Sequence, residues 1–366
     1  QVQRDTMGSS SIFNRLRSRA APLLRPMLEH IGLLRRPALW WLSRRHPRTY
    51  QVDGCTYEVD PRDFGVSLEL HATGGYEEGT RRFCLEAIEP GMTFIDIGAH
   101  VGLFTIPIAQ RVGDSGRVFA FEPNPSNREL LERNLSGNDI NHVKVLPSAV
   151  SDAAGTMKLH CSPYNTGDHQ LYYTGRGRDA IDVEVVSLDG FLEEQGGEVD
   201  LVKMDVQGAE AKVISGMEQT IEGNPGIIMV IELSPWMLED IGDDPLALLE
   251  DLEGRGFSLA TMDEGTGDLT GGSCREILER CTMHPSSCAL CTPHRAHQRY
   301  DAEGDGLTSA EGLTKAHISQ RQVALMSPWM LVHRATADAF ESIQTPVAEY
   351  LSHWLSLIDR GITTSA

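Results

Sequence analysis

Long apolar runs, a secretory leader and a disulfide framework are all missing from these 366 residues. No stretch approaches the ~20 uninterrupted apolar residues that a membrane-spanning helix requires. The seven cysteines are too sparse and too unevenly placed to staple a secreted fold. No N-terminal apolar segment with a small-residue cleavage site is visible, so a reducing cytoplasm is the expected compartment. Lysine is scarce, five against 27 arginines, which reflects the source of the chain and carries no chemistry. Internal repeats and long low-complexity tracts are absent. What remains, 40% hydrophobic and 23% charged, is an ordinary globular composition with enough chain for a substantial core.

The net charge of -20 conceals an asymmetry. Residues 1–50 hold ten arginines against Asp5 and Glu29, giving +8 and leaving -28 for the rest. An acidic body repels polyanions, so nucleic acid is not expected as a partner. Residues 12–42 mix arginine with Leu16, Leu23, Leu24, Met27, Ile31, Leu33, Leu34, Trp40 and Trp41, with breaks near Pro22, Pro26 and Pro37. This reads as a basic amphipathic arm over residues 1–49 that packs on the domain, with peripheral contact to an anionic membrane as the alternative.

From about residue 50 to 270, apolar runs alternate with helical periodicity, the pattern of an α/β domain with a largely parallel sheet. Strands are expected at Thr93–Ile97, Arg117–Phe121, Val143–Leu146, Val199–Met204 and Gly226–Ile231. Val213, Ile214, Met217 and Ile221 recur at helical spacing within Ala209–Gly223, as do Leu246, Leu249 and Leu252 later. Residues 156–186 read as extra strands with a polar loop, where substrate-specific elements usually sit. Residues 271–366 form a third segment containing cysteines and histidines and ending in a helical hairpin, with Pro328 and Pro346 at the helix starts.

The strongest chemical signal is FIDIGAHVG at 94–102, followed by VFAFEPNP at 118–125. A strand running through Asp96 into Gly98 and Gly102, then into a helix, makes a tight turn where backbone approaches a ligand closely. The spacing is Gly-x-x-x-Gly, not the Gly-x-Gly-x-x-Gly of a pyrophosphate cradle. Glu122 closes the second strand, where a carboxylate accepts hydrogen bonds from ribose hydroxyls. Asp96, two glycines and Glu122 fit an adenosyl ligand without a pyrophosphate, and S-adenosylmethionine is the obvious one.

Four blocks in order, FIDIGAHVGLFT (94–105), FAFEPNP (119–125), NTGDHQLY (165–172) and VDLVKMDVQGAE (199–210), resemble the FkbM family of S-adenosylmethionine-dependent methyltransferases. The resemblance spans roughly Tyr50 to Asp263. It implies a doubly wound Rossmann-like sheet and a cofactor at the carboxyl ends of the first strands. It also implies transfer mostly to oxygen on small molecules or sugar-containing compounds. Carried over residue by residue, it places Asp96, Gly98, His100, Gly102, Glu122, Asn124, Ala149 and Asp205 around the cofactor. His100 stands where Asn is commoner in the family, and Gln207 where Glu is commoner.

His169 is the natural proton acceptor in NTGDHQLY, because a neutral imidazole takes a proton as a hydroxyl attacks. Asp168 orients it or holds a metal. Asp205, Glu210 and Glu232 are expected around one mouth, where they bind substrate hydroxyls; a divalent metal there is possible but not expected. Cys281, His284, Cys288 and Cys291 offer an irregular zinc set, and buried inert thiols are the better expectation. The run DAEGDGLTSAE at 301–311 fails to close a calcium loop and reads as a polar turn. The competing readings are a nicotinamide-dependent oxidoreductase, which lacks its glycine fingerprint here, and a non-catalytic adenosyl-binding scaffold. They differ in cofactor, so ligand-induced thermal shifts separate them.

Overall fold

A computed structural model of the chain describes residues 47–293, other than Phe64, Tyr164, Thr174, Arg176, Gly197 and 284–286, together with 322–326. The basic arm at 12–42, His284, the 301–311 run and the C-terminal helical hairpin lie outside the described residues. Among the described residues no helix is long and apolar enough to cross a membrane.

The five strands expected of an α/β domain all form: β3 (Thr93–Ile97), β4 (Arg117–Phe121), β5 (Val143–Leu146), β9 (Leu201–Met204) and β10 (Ile228–Glu232). They lie side by side and parallel in the order β10-β9-β3-β4-β5. Their two-residue alternation divides the core. Phe94, Val118 and Ala120 join one buried cluster, while Ile95, Ile97, Phe119 and Phe121 join the other. The first cluster is completed by helices α1 (Val66–Thr73), α2 (Glu78–Ala87), α3 (Thr105–Val112) and α4 (Pro125–Gly137), through Leu70, Phe83, Ile106 and Leu131. The second receives α5 (Leu188–Gln195), α6 (Glu210–Ser215), α7 (Glu218–Gly223), α8 (Pro235–Ile241) and α9 (Pro245–Gly254). Helices on both faces of a mostly parallel sheet make the doubly wound α/β architecture.

Local signals set the helix boundaries. Asn124 caps α4 by accepting from the N–H groups of Ser126 and Asn127, with Pro125 at the first helical position. Asp244 and Pro245 repeat the device for α9. The single helix expected over Ala209–Gly223 is broken into α6 and α7. A Cβ on Gly216 would lie 2.0 Å from the Ser151 carbonyl oxygen, so the chain turns there against a neighbouring backbone. The new N-terminus of α7 is capped at a distance by Asp189, which accepts from Gln219 N–H at 2.9 Å and Thr220 N–H at 2.8 Å.

A hairpin of β1 (Thr49–Val52) and β2 (Cys55–Glu58) packs against α4, where Asn134 and Asn138 bond its backbone. Between β5 and β9, strands β6 (Ala149–Val150), β7 (Gly155–Cys161) and β8 (Asp179–Val186) form a separate three-stranded sheet, the insertion anticipated at 156–186. The expected boundary at 270 does not hold. Strand β11 (Phe257–Asp263) continues through β12 (Leu269–Gly271) into α10 (Cys274–Met283), whose Cys274, Ile277 and Cys281 are buried in the second core cluster. Strands β13 (Ser287–Pro293) and β14 (Gln322–Met326) also pair with β10 and β11 in the central sheet, which has nine strands among the described residues. The core draws on residues expected in a separate third segment.

The chain runs from β3 outward to β4 and β5, then returns to β9 on the other side of β3. The order of strands reverses beside β3, and the carboxyl ends of β3, β4 and β9 open a crevice at that switch point.

Candidate active site

An open pocket occupies that crevice. Its lining includes Gly98, Ala99, His100, Phe121, Glu122, Asn127, Ala149 and Val150, together with Tyr76, Phe104, His169, Lys203, Asp205 and Gln207.

The turn after β3 is built by glycine. Gly98 has φ +84°, and a Cβ there would sit 2.0 Å from the carbonyl oxygen of Asp205. The ends of β3 and β9 therefore touch only because residue 98 has no side chain. The N–H groups of Gly98 and Ala99 both donate to Phe121 O, and that of His100 donates to Glu122 Oε2 at 2.9 Å. With these amides satisfied inside the protein, the turn offers no nest for a pyrophosphate. His100 takes φ +50°, the left-handed region where Asn, Asp and His are the favoured non-glycine residues, so its kinship with Asn is a backbone requirement. Its Nε2 lies 2.8 Å from Thr166 Oγ1, while Nδ1 is buried without a protein partner beside the pocket.

Glu122 accepts one backbone N–H on each oxygen, from His100 and from Asn124 at 2.8 Å. The Asn127 side chain also bonds this carboxyl, and of the roughly four acceptor positions of a carboxylate one is left for a ligand hydroxyl. Burial pushes this carboxyl up to about 7, against the opposing pull of the Asn124 and His100 amides. A carboxylate with spare acceptor capacity, an orphaned buried ring nitrogen and apolar Phe121, Ala149 and Val150 fit an adenosine.

Lys203, Asp205 and their neighbours form a charged cluster in the lining. Asp205 Oδ2 pairs with Lys203 Nζ at 3.3 Å, and Oδ1 accepts from Gln207 Nε2 at 2.7 Å. Gln207 Nε2 also reaches Glu232 Oε2 at 3.2 Å. The Lys203 ammonium sits 5.0 Å from the Phe104 ring centroid. Burial works to raise Asp205, but the Lys203 charge and hydrogen bonds with Glu232, Gln207 and Lys203 outweigh it and hold the carboxyl below its ordinary value. Glu232 is driven well above its ordinary value by burial and by the Asp205 charge. Burial works to lower Lys203, and the surrounding carboxylates, Asp205 first, overcome it and keep the amine charged.

His169 lines the pocket, but its Nδ1 accepts the backbone N–H of Ser162 at 3.1 Å. That bond assigns the ring proton of the neutral form to Nε2. Burial, helped by the nearby His100 and Arg178, lowers the ring to about 4, so it is neutral at physiological pH. Neutral His169 is a hydrogen-bond donor at Nε2, and the only nitrogen able to accept a proton is already engaged.

Several expected residues lie elsewhere. Asp168 neither orients His169 nor faces the pocket: it is buried, pairs with Arg178 at 2.5 Å and accepts from Gln170 Nε2 at 2.7 Å. Asp96 is fully buried beneath the pocket, accepting from Thr105 Oγ1 at 2.6 Å. Gly102 packs against Leu131 and Ile106, and Asn124 serves as the α4 cap. Glu210 does not reach the cleft: it is fully buried and accepts from Gly208 N–H at 2.9 Å. Glu232 stands behind Gln207 outside the lining. Sequence reasoning passed over Lys203, Thr166, Asn127 and Tyr76. A lysine inside the apolar run LVKM was the available signal for the first. Among the described residues no group of three or more His, Cys, Asp or Glu is arranged to hold a metal ion.

Comparison with known proteins finds the model of the methyltransferase FkbM domain matching residues 96–259. The chain is similar to methyltransferase sdnD of Sordaria araneosa, 29% identical over 55% of this chain and 88% of that protein. It is 28% identical to the hexuronic acid methyltransferase AglP of Haloferax volcanii, over 42% of this chain and 62% of the relative. It is also 28% identical to the 2-O-methyltransferase NoeI of Sinorhizobium fredii, over 36% of this chain and 60% of the relative.

Proposed function

We propose that the chain, whose residues 96–259 match the methyltransferase FkbM domain, moves a methyl group from S-adenosylmethionine to a hydroxyl oxygen of a sugar, glycan or small metabolite. The observation that carries this reading is that one pocket gathers Gly98, His100 and the Glu122 carboxylate, groups suited to an adenosine, with the charged Asp205 and Lys203. The names of AglP and NoeI, a hexuronic acid methyltransferase and a 2-O-methyltransferase, support oxygen on a sugar as the acceptor. Bound S-adenosylmethionine supplies an electrophilic methyl on a sulfonium, whose C–S bond breaks as the new O–C bond forms.

The protein's part is alignment and proton removal. Glu122 takes a ribose hydroxyl on its free lone pair. Asp205, held ionised beside Lys203, accepts the hydroxyl proton as the oxygen attacks. His169 offers Nε2–H to an acceptor oxygen and fixes its direction. Phe104 and Tyr76 provide ring faces for the apolar side of the acceptor.

Calorimetry with S-adenosylmethionine tests the cofactor contacts. A ligand hydroxyl donates to the carboxylate form of Glu122, so affinity rises as pH passes through about 7, where the free carboxyl ionises. Glu122→Gln loses roughly 1.5–3 kcal/mol of binding and the pH dependence with it. Equal affinities for the two proteins at pH 8 would take Glu122 out of the site.

Turnover is expected to depend only weakly on His169. His169→Gln retains a donor and most of the rate, and His169→Leu slows turnover about 2–10-fold, the value of one neutral hydrogen bond. Neither the parent nor the variants show a rate step near pH 6.5, since the ring stays neutral down to about 4. A step there that His169→Gln abolishes would restore histidine as the base.

A further inference from the structure

Neither Gln207 nor Glu232 has a role in the chemistry described so far, yet the two are tied to the one carboxylate that does. We propose that they form a positioning pair: Gln207 holds Asp205 unprotonated and turned toward the acceptor, and Glu232 stores the single proton that this carboxyl pair retains. The proposal rests on the reading of Asp205 as the proton acceptor.

Both N–H positions of one amide nitrogen are spent on carboxyl oxygens, 2.7 Å to Asp205 and 3.2 Å to Glu232. An amide bonded this way bridges the two acids and cannot rotate without abandoning both. Its backbone is held at φ +52°, a conformation that is unfavourable for a non-glycine residue and persists only where the surroundings impose it. Gly208 follows at φ +99°, where a Cβ would lie 2.8 Å from Met237 Cβ, so α8 packs directly against the turn that aims Gln207. Among the described residues no hydrogen bond reaches Gln207 Oε1, which leaves that oxygen to the pocket that Gln207 lines.

Two acids bridged by one nitrogen and buried cannot both be ionised, because each charge raises the cost of the other in a poorly solvated site. Which acid keeps the proton follows from their partners. Asp205 has the Lys203 ammonium on Oδ2 and the amide on Oδ1; Glu232 has the amide at the longer distance and a hydrogen bond shared with Asp205 itself, with no cation bonded to it among the described residues. The wider surroundings are Asp96 on β3, Glu77 and Tyr76 before α2, His100 on the β3 turn and Glu210 on α6. The anions among them disfavour a second negative charge, and Lys203 favours the first on its immediate neighbour. The proton therefore sits on Glu232, and the carboxylate faces the acceptor.

Infrared difference spectroscopy of the full-length protein with ¹³C-labelled carboxyls reads this directly, with no acceptor needed. At pH 7 the parent shows a protonated buried carboxyl that Glu232→Gln removes, and Asp205, identified by Asp205→Asn, ionises below the ordinary aspartate range. In Gln207→Leu the Asp205 midpoint moves up by about one pH unit or more, the effect of losing a hydrogen bond to a charged group. A carboxyl band unchanged in Glu232→Gln, or an Asp205 midpoint unchanged in Gln207→Leu, overturns the pairing. If Gln207→Leu does not fold, the Glu232→Gln spectrum decides alone. Calorimetry on the parent keeps the two levels apart. Failure to bind S-adenosylmethionine would count against the methyltransferase site, whereas normal binding with unmoved carboxyl bands would count against Gln207 and Glu232 only.

Discussion

Asp205→Asn is expected to slow methyl transfer by about 10²–10⁴-fold while S-adenosylmethionine still binds, the usual contribution of a positioned base. Asparagine matches aspartate in size, and its single oxygen can accept from the Lys203 ammonium or from the Gln207 amide, which contact different oxygens of Asp205. Asparagine cannot take a proton. The loss therefore falls on kcat, and KM for the cofactor stays near normal, because Glu122 and the Gly98 turn are untouched. The pH profile separates this base from a histidine. The Lys203 charge and three hydrogen bonds hold Asp205 below the ordinary carboxyl value, so the rate is already on its plateau at neutral pH. It falls only as acid protonates a carboxyl whose pKa is lowered. Near-normal turnover in Asp205→Asn would move proton acceptance to water or to the acceptor's own groups.

Burial patterns and turn chemistry were legible in the sequence because they are local. The alternation in Thr93–Ile97 and Arg117–Phe121 needs only neighbouring residues to assign two faces, and the structure sends Phe94 and Ile95 to opposite clusters accordingly. The caps at Asn124 and Asp244 are dictated within three residues. Glu122 follows from its place at the end of a strand. What stayed hidden is set by partners distant in sequence or by an atom-level choice. The tautomer of His169 is decided by the Ser162 N–H, which no spacing rule reveals. Asp168 is withdrawn from the site by Arg178, ten residues on, across a loop of unreadable shape. The helix break at Gly216 answers to a carbonyl at residue 151. Two strands beyond residue 280 enter the sheet next to β10, although that region reads as a separate segment in the sequence.

Lys203 shows why site chemistry is harder to read than fold. In a linear reading it is an anomaly in an apolar strand. In three dimensions it is the counter-charge that makes Asp205 the acid that ionises and leaves Glu232 to hold the proton. Removing it would leave buried carboxylates without their cation, and the pair would lose the asymmetry on which a single base depends.

The largest structural effect is expected at Gly98. Alanine there must tolerate φ +84° and also place a Cβ 2.0 Å from Asp205 O, a backbone atom that cannot rotate away. Gly54 supplies the control: it has φ +81° with nothing within 4 Å, so Gly54→Ala meets only the left-handed backbone penalty, about 1–2 kcal/mol. Gly98→Ala adds the forced separation of β3 from β9. That movement strains the Asp205 N–H to Ile97 O bond, 2.9 Å, and the bonds from Gly98 and Ala99 to Phe121 O, both 3.0 Å. A total above about 4 kcal/mol places it among the exceptional single substitutions. Denaturant midpoints of the two variants measure the difference. The same separation shifts Asp205 away from the groups suited to an adenosine, so Gly98→Ala loses cofactor binding even at temperatures where it remains folded, while Gly54→Ala, in the turn between β1 and β2, binds normally. Equal destabilisation of the two would mean that the strand ends part without cost, and that the close approach of Gly98 to Asp205 does not hold the pocket together.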